Sequence, residues 1–221
     1  MKSLTLLTGL FAVVLMTMGG CKSTSSCSSS KCATKCSQGV NLGYDAGAPL
    51  TADEVASILA NAEAAAAKEP SLLRVNGEGK QQPTRMHIVV VDRSGSVIGR
   101  TSMDDAWGGS VAIAKSKAYT AVAFSSDENA LTTRSLGPLT QPGGPLWNIG
   151  NSNTKGGNPG LIEFPGGVPL YKGGKLVGAI GVSGDGVEQD ENVADAGAKG
   201  FEPPKAIRID TVTDGGVPYT Q

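Results

Sequence analysis

The stretch KGGKLVGAIGVSG, residues 172–184, decides the fold of this chain. Its apolar segment 176–182 predicts a buried central strand, in which Gly178 and Gly181 allow neighbouring backbone to approach closely. The Gly173-Gly174 pair predicts a hairpin turn that joins this strand to a preceding one at 168–171. The strand also leads into a predicted helix at 187–198, whose acidic first turn suits a helix N-terminus.

A second hairpin lies upstream. Residues 86–92 (MHIVVVD) read as a buried strand, Arg93-Ser-Gly95 as a turn, and residues 96–102 as the returning strand. Two hairpins predict a largely antiparallel sheet, and helices must cover that sheet.

The remaining periodic segments predict further helices. Thr51-Ala-Asp-Glu54 is a capping box, which opens a helix to about Lys68, and residues 108–124 follow a helical period with small residues on one face. Ser125–Glu128 is interpreted as another capping box, which opens a short helix to about Ser135. Residues 136–166 lack periodicity and predict a long loop partly ordered by Trp147, and Ala206–Val212 is a possible edge strand.

The N-terminus predicts export and lipid attachment. Lys2 precedes a largely apolar stretch that is too short for a permanent transmembrane helix, and small residues follow it. Met18-Gly19-Gly20-Cys21 resembles the bacterial lipobox, in which the cysteine becomes the acylated first residue. We therefore expect residues 1–20 to be a lipoprotein signal peptide. The expected location is a bacterial membrane, on the outer membrane or the periplasmic face, with Cys21 as the anchor.

Residues 21–49 form a Cys- and Ser-rich tether and a lead-in to the domain. If Cys21 carries lipid, Cys27, Cys32 and Cys36 are left. An intramolecular pair with a third cysteine pairing between chains, or metal capture by three thiolates, both remain open. The spacing around Cys32 and Cys36 does not fit covalent haem attachment.

Composition and motifs exclude several functions. The formal net charge is −1 and no basic stripe is present, which argues against nucleic acid as a partner. No P-loop occurs, and the glycines at 178–186 do not fit a dinucleotide fingerprint. The segment Gly181-Val-Ser183 departs from a nucleophile elbow at Asp185. No catalytic residue can be named, so the sequence favours binding over catalysis.

Six ordered motifs give the chain a family resemblance. They are VVDxxG at 90–95, MDxA at 103–106, GSxxxAxxKA at 109–118, PGGVPL at 165–170, GxLVGAIGVSG at 174–184 and EQD at 188–190. Over residues 50–200 the chain resembles the GlcG/HbpS-like haem-binding family, which is related to the C-terminal domain of some cobalamin adenosyltransferases.

The resemblance implies an α/β fold of the α+β type, with a five-stranded, largely antiparallel sheet, helices on both faces, and homo-oligomers. Some members bind haem, and one is an extracellular haem and iron sensor partner. Residues 201–221 look like the C-terminal extension of exported members.

The resemblance also gives the candidate site residues. Positions expected to line a shared pocket are Asp92, Met103, Asp104, Lys117, Gly166, Gly167, Pro169, Ser183 and Gly184. Lys117 is expected to meet Asp104 or a ligand carboxylate such as a haem propionate, because an unpaired buried ammonium is costly. His87, the single histidine, is the candidate metal or haem ligand, or a strand histidine satisfied by its neighbours.

These observations predict a membrane-tethered, extracytoplasmic binding module for haem, another tetrapyrrole or a small anionic metabolite. One alternative is an enzyme that acts on a small organic acid or degrades haem, with Lys117, Asp92 and Asp104 as its polar groups. The other is an oligomeric sensor partner or structural protein.

Overall fold

A computed structural model describes residues 47–149, 159–213 and 217–220. Its main sheet has four antiparallel strands in the order β4-β3-β6-β5, and a separate hairpin pairs β1 with β2. The strands are β1 Pro70–Val75, β2 Gln81–Pro83, β3 His87–Asp92, β4 Val97–Ser102, β5 Gly167–Lys172 and β6 Lys175–Ser183. The helices are α1 Ala52–Ala66, α2 Ser110–Ala123, α3 Thr133–Leu136, α4 Val187–Ala198 and α5 Ile209–Val212.

The N-terminal capping box of α1 forms as predicted. The hydroxyl of Thr51 accepts a hydrogen bond from the backbone N–H of Glu54 at 3.2 Å, and the Glu54 carboxylate accepts one from the Thr51 N–H at 2.8 Å. This start places one apolar stripe against the sheet, namely Val55, Ile58, Ala62 and Ala66.

Helices cover both faces of the main sheet, as expected. One face packs with α1 and α4 around Ile88, Val90 and Ile180, and the other packs with α2 around Val89 and Ala179. Gly181 fixes the second contact, because a Cβ added there would lie 2.1 Å from the carbonyl oxygen of Ala114 on α2. The central strand therefore needs glycine where the helix backbone meets it.

The expected five-stranded sheet is wrong. The main sheet has four strands, and β1 with β2 forms a two-stranded sheet of its own. Pro169 lies on the edge strand β5, and the Tyr171 N–H of that strand donates to the carbonyl of Phe201 at 2.7 Å. Irregular chain, rather than a fifth strand, therefore satisfies this donor at the edge.

Two further sequence predictions are corrected. Ala206–Val212 is no edge strand: Lys205–Ile207 is a 3₁₀ turn, Ile209–Val212 is a short helix, and one bridge joins Arg208 to Ala130. Ser125–Glu128 opens no helix, because the Ser126 hydroxyl accepts from the N–H groups of Glu128 and Asn129 and closes a turn.

Part of the predicted loop at 136–166 is fastened to α2. The Ser116 hydroxyl donates to the Pro159 carbonyl at 2.6 Å, and the Thr120 hydroxyl accepts from the Ile162 N–H at 2.9 Å. Trp147 is 54% exposed, so its burial does not order the segment.

The expected signal peptide, its lipid site at Cys21 and nearly all of the expected tether lie outside the described residues. Within the part of the chain that the structure describes, no helix has the length and apolar character needed to cross a membrane.

Candidate functional site

A groove lies beside α2 in the described part of the chain. Helix α2 packs across β6, β3 and β5, and the edge strand β4 extends beyond it. The open space above β4 has a volume of about 540 Å³, which is within the usual range for small-molecule sites. Its lining residues are Val89, Val97, Arg100, Gly108, Val111, Ala112 and Lys115.

The groove combines an apolar interior with two cations. Val97 and Val111 are each 41% exposed, which leaves branched aliphatic surface open to a ligand. Arg100 from β4 and Lys115 from α2 supply the positive charges. Such a site suits a flat or elongated apolar molecule that carries anionic groups.

His87 lies next to the groove. It is on β3, two residues before Val89, so both side chains project from the same face of the sheet. Its Nδ1 atom lies 2.8 Å from the Ser102 hydroxyl, and its Nε2 atom lies 3.0 Å from the carbonyl oxygen of Trp107. A metal on either nitrogen would replace one of these hydrogen bonds, so His87 as a ligand stays a prediction.

Lys117 is not on the surface of a pocket. Its side chain is fully buried, and its Nζ atom donates to Asp190 Oδ2 at 2.6 Å and to the Val182 carbonyl at 3.1 Å. The Phe164 ring lies 4.9 Å from the same nitrogen. The prediction that Lys117 meets Asp104 is wrong. The carboxylate that Lys117 contacts is that of Asp190 on α4, while Asp104 lies exposed in a turn.

Burial shifts the pKa values of this pair in opposite directions. Desolvation lowers the pKa of Lys117, although Asp190 opposes the change, and desolvation raises the pKa of Asp190 against the pull of Lys117. Next to them, Arg134 donates to both Glu188 and Glu191. The arrangement is an ionic cluster that joins α2, α3 and α4, and its most exposed member is Glu188, whose side chain is 40% exposed.

Three of the predicted glycines are packed against this cluster. Gly166 has φ +111°, and a Cβ added there would lie 2.8 Å from Lys117 Nζ. A Cβ on Gly167 would lie 2.5 Å from the Lys117 carbonyl, and the Gly184 N–H donates to Asp190 Oδ1 at 3.1 Å. The motifs that bring these residues together therefore build an internal contact.

The other predicted pocket residues are dispersed. Asp92 caps the β3–β4 turn through the N–H groups of Ser94 and Ser96, about 17 Å along β3 from His87. Met103 is buried in the core on the α1 side, where its sulfur accepts from the Met86 N–H. Ser183 pairs with His87 in the sheet, and Pro169 is buried on β5.

None of the predicted ligand-binding residues lines the groove. Its cations, Arg100 and Lys115, were missed because each sits on an exposed face where a solvated charge is ordinary. No signal in the sequence pointed to them, because the exposure of Val111, one helical turn before Lys115, is visible only in the folded chain. Among the described residues, no cluster of three or more His, Cys, Asp or Glu could hold a metal ion.

Comparison with known proteins places the chain in a family. The sequence model of the family described as "Haem degrading protein HbpS-like" matches residues 50–199. An uncharacterized 15.0 kDa protein from the dhaT–dhaS intergenic region of Citrobacter freundii is 36% identical over 106 residues, which are 48% of this chain and 68% of that protein. The corrinoid adenosyltransferase PduO of the same organism is 35% identical over 108 residues, 49% of this chain and 30% of that protein.

Solved structures have the same fold. The PduOC:heme complex aligns with a TM-score of 0.57 at 25% identity, over 68% of this chain and 94% of that one. A double mutant of HbpS from Streptomyces reticuli aligns with a TM-score of 0.53 at 26% identity, over 73% of this chain and 91% of that one. The chain belongs to the HbpS-like family.

Proposed function

We propose that this chain is a binding module that holds haem, or a closely related tetrapyrrole, in the groove beside α2. One observation carries the proposal. This chain has an apolar groove of about 540 Å³ with two cations, and a solved structure with the same fold is a complex with haem. The printed description of the family also refers to haem.

The groove residues fit the chemistry of the group. Val89, Val97 and Val111 would contact the apolar macrocycle, and Arg100 and Lys115 would pair with the two propionates. His87, the single histidine, lies beside the groove. Its Nε2 atom would supply an iron ligand once the hydrogen bond between this atom and the Trp107 carbonyl is broken.

We also propose that the module is tethered outside the cytoplasm through lipid on Cys21. The support is the apolar N-terminal stretch followed by Met18-Gly19-Gly20-Cys21. A homo-oligomer stays a prediction, which light scattering on the purified chain checks.

Haem degradation is the second candidate, because the family's printed description names it. The polar groups expected for catalysis are not brought together: Lys117 is fully buried in an ion pair, Asp92 is engaged in a turn, and Asp104 is exposed in another turn. Under a reductant, a bound Soret band that persists indicates binding, and one that decays with release of iron indicates turnover.

Titration of haem into the full chain tests the proposal. We expect a shifted Soret band that saturates at one haem per chain at micromolar concentrations. No shift at tens of micromolar haem would contradict the proposal.

A further inference from the structure

The C-terminal extension docks against the domain beyond the region that the family model matches. The Ala130 N–H donates to the Ile207 carbonyl at 2.8 Å, and the Ile209 N–H donates to the Ala130 carbonyl at 3.1 Å. Farther along, the Thr132 hydroxyl donates to the carbonyl of Tyr219. These contacts hold the extension against residues 130–132, which lead into α3.

A small cavity lies between the extension and the domain. It measures about 160 Å³, and it is separate from the groove beside α2. Its lining residues are Val168, Asp195, Ala198, Glu202, Pro203, Arg208, Tyr219 and Thr220. Polar groups of both signs thus surround a space smaller than a drug-sized ligand requires.

Two hydrogen-bond donors at this cavity are buried without partners. Tyr219 is 4% exposed, and neither its hydroxyl nor Nε of Arg208 has a hydrogen-bond partner among the described residues. The Arg208 guanidinium carbon lies 5.1 Å from the centre of the Tyr219 ring, so the two side chains are neighbours. A buried donor without a partner costs free energy, and a bound acceptor would remove that cost.

Asp195 faces these donors without neutralising them. It lines the same cavity as Arg208, yet no salt bridge joins the two side chains. Burial raises the pKa of Asp195 to about 7; Glu191 adds to the rise, and Arg134 and Arg208 oppose it. Burial also raises the pKa of Tyr219, which keeps its hydroxyl protonated. Glu202 is the other acidic group at the cavity, and it is exposed.

We propose that this cavity binds a short-chain monocarboxylate, with Arg208 and Tyr219 donating hydrogen bonds to its carboxylate and protonated Asp195 as the third donor. The volume admits acids of roughly two to four carbons. At a pH at which Asp195 is ionised in the free protein, its carboxylate takes up one proton when the acid binds. The site therefore binds an organic acid independently of the groove.

Calorimetric titration of the haem-free full chain with acetate and propionate, at pH 6 and pH 8, tests this site. We expect millimolar binding that is about tenfold tighter at pH 6, because about a tenth of a carboxyl with a pKa of 7 remains protonated at pH 8. Asp195→Asn should bind equally at both pH values. Tyr219→Phe should weaken binding about tenfold, the ratio expected for one lost hydrogen bond.

Tyr171→Phe is the matched control. The Tyr171 hydroxyl is also buried, but it donates to the carbonyl oxygens of Ser126 and Asn129, so its loss should leave acid binding unchanged. Absence of binding at millimolar acid in 50-fold molar excess over the protein would overturn the proposal. So would equal affinity for wild type and Tyr219→Phe. Neither result bears on the groove, because haem is absent from the titration.

Discussion

The ammonium of Lys117 lies 2.6 Å from the carboxylate of Asp190, and both side chains are shielded from solvent. The pair joins the middle of α2 to the first turn of α4, 73 residues later in the chain. Removal of one partner would leave the other charged and buried, which is far more costly than removal of both. Lys117, which the family motifs suggest as a pocket residue, is thus part of the interior.

Lys117→Met should lower the free energy of unfolding by about 3–5 kcal/mol, because Asp190 then stays buried without a counter-charge. Denaturant unfolding measures the change. The double variant Lys117→Met/Asp190→Asn should recover most of the loss, because it removes both charges while the amide oxygen at position 190 still accepts from the Gly184 N–H. Arg74→Ala is the control, because its partner Asp105 is 85% exposed, and it should change stability little. If Lys117→Met and Arg74→Ala lowered the free energy of unfolding equally, the account would be contradicted.

Gly166→Ala should destabilise the protein more than Gly200→Ala does. Both glycines have positive φ, +111° and +89°, so both variants carry backbone strain of about 1–3 kcal/mol. Only the Gly166 methyl would also collide with Lys117 Nζ, whereas nothing lies within 4 Å of a Cβ at Gly200. Thermal unfolding of the two variants should differ by several degrees, and identical melting temperatures would argue against the packing described.

Asp195→Asn should flatten the pH dependence of stability between about pH 4 and pH 7. Burial raises the pKa of Asp195 from 3.8 to about 7, so across this window the folded protein keeps a proton that the unfolded chain has lost. The wild-type free energy of unfolding should therefore fall as pH rises through the window. Denaturant unfolding at pH 4.5 and pH 7.5 should show a smaller fall for the variant. An unchanged fall would mean that Asp195 is not the group responsible.

Cys21→Ser should abolish lipid attachment and release the chain from membranes. Under the proposed lipidation, Cys21 at the end of the lipobox-like segment would carry the acyl chain that holds the protein on the membrane. Metabolic labelling with a clickable fatty acid, followed by membrane fractionation, measures both effects. Cys27→Ser is the control, since it removes a cysteine from the tether and should keep the label. Label that persists in Cys21→Ser would show that another residue carries the lipid.

The regular elements were predictable because their signals are local. Helix α4 begins and ends at the predicted residues. The close approach of neighbouring backbone predicted at Gly178 and Gly181 is confirmed, from β3 at Gly178 and from α2 at Gly181. The β1–β2 hairpin was missed because exposed Leu72 and Leu73 break the alternation expected of a strand. The partner of Lys117 could not be predicted from the sequence, because charge alone does not select one carboxylate among many in the chain.

The groove was not predictable for a related reason. It exists because α2 leaves the edge strand β4 open, and sequence periodicity does not set the position of a helix across a sheet. In the sequence, Arg100 and Lys115 therefore look like ordinary surface charges, and only the fold brings β4 and α2 together so that both residues line one cavity.

Haem titration of Val111→Asp tests the central claim most directly. Val111 lines the groove in the first turn of α2, where a carboxylate is compatible with the helix dipole but opposes an apolar, anionic ligand. Val187→Asp is the matched control: it makes the same change in the first turn of α4, at a valine of similar exposure outside the groove. We predict that Val111→Asp weakens haem binding at least tenfold while Val187→Asp binds like wild type. Equal haem affinity in all three proteins would contradict the assignment of the groove.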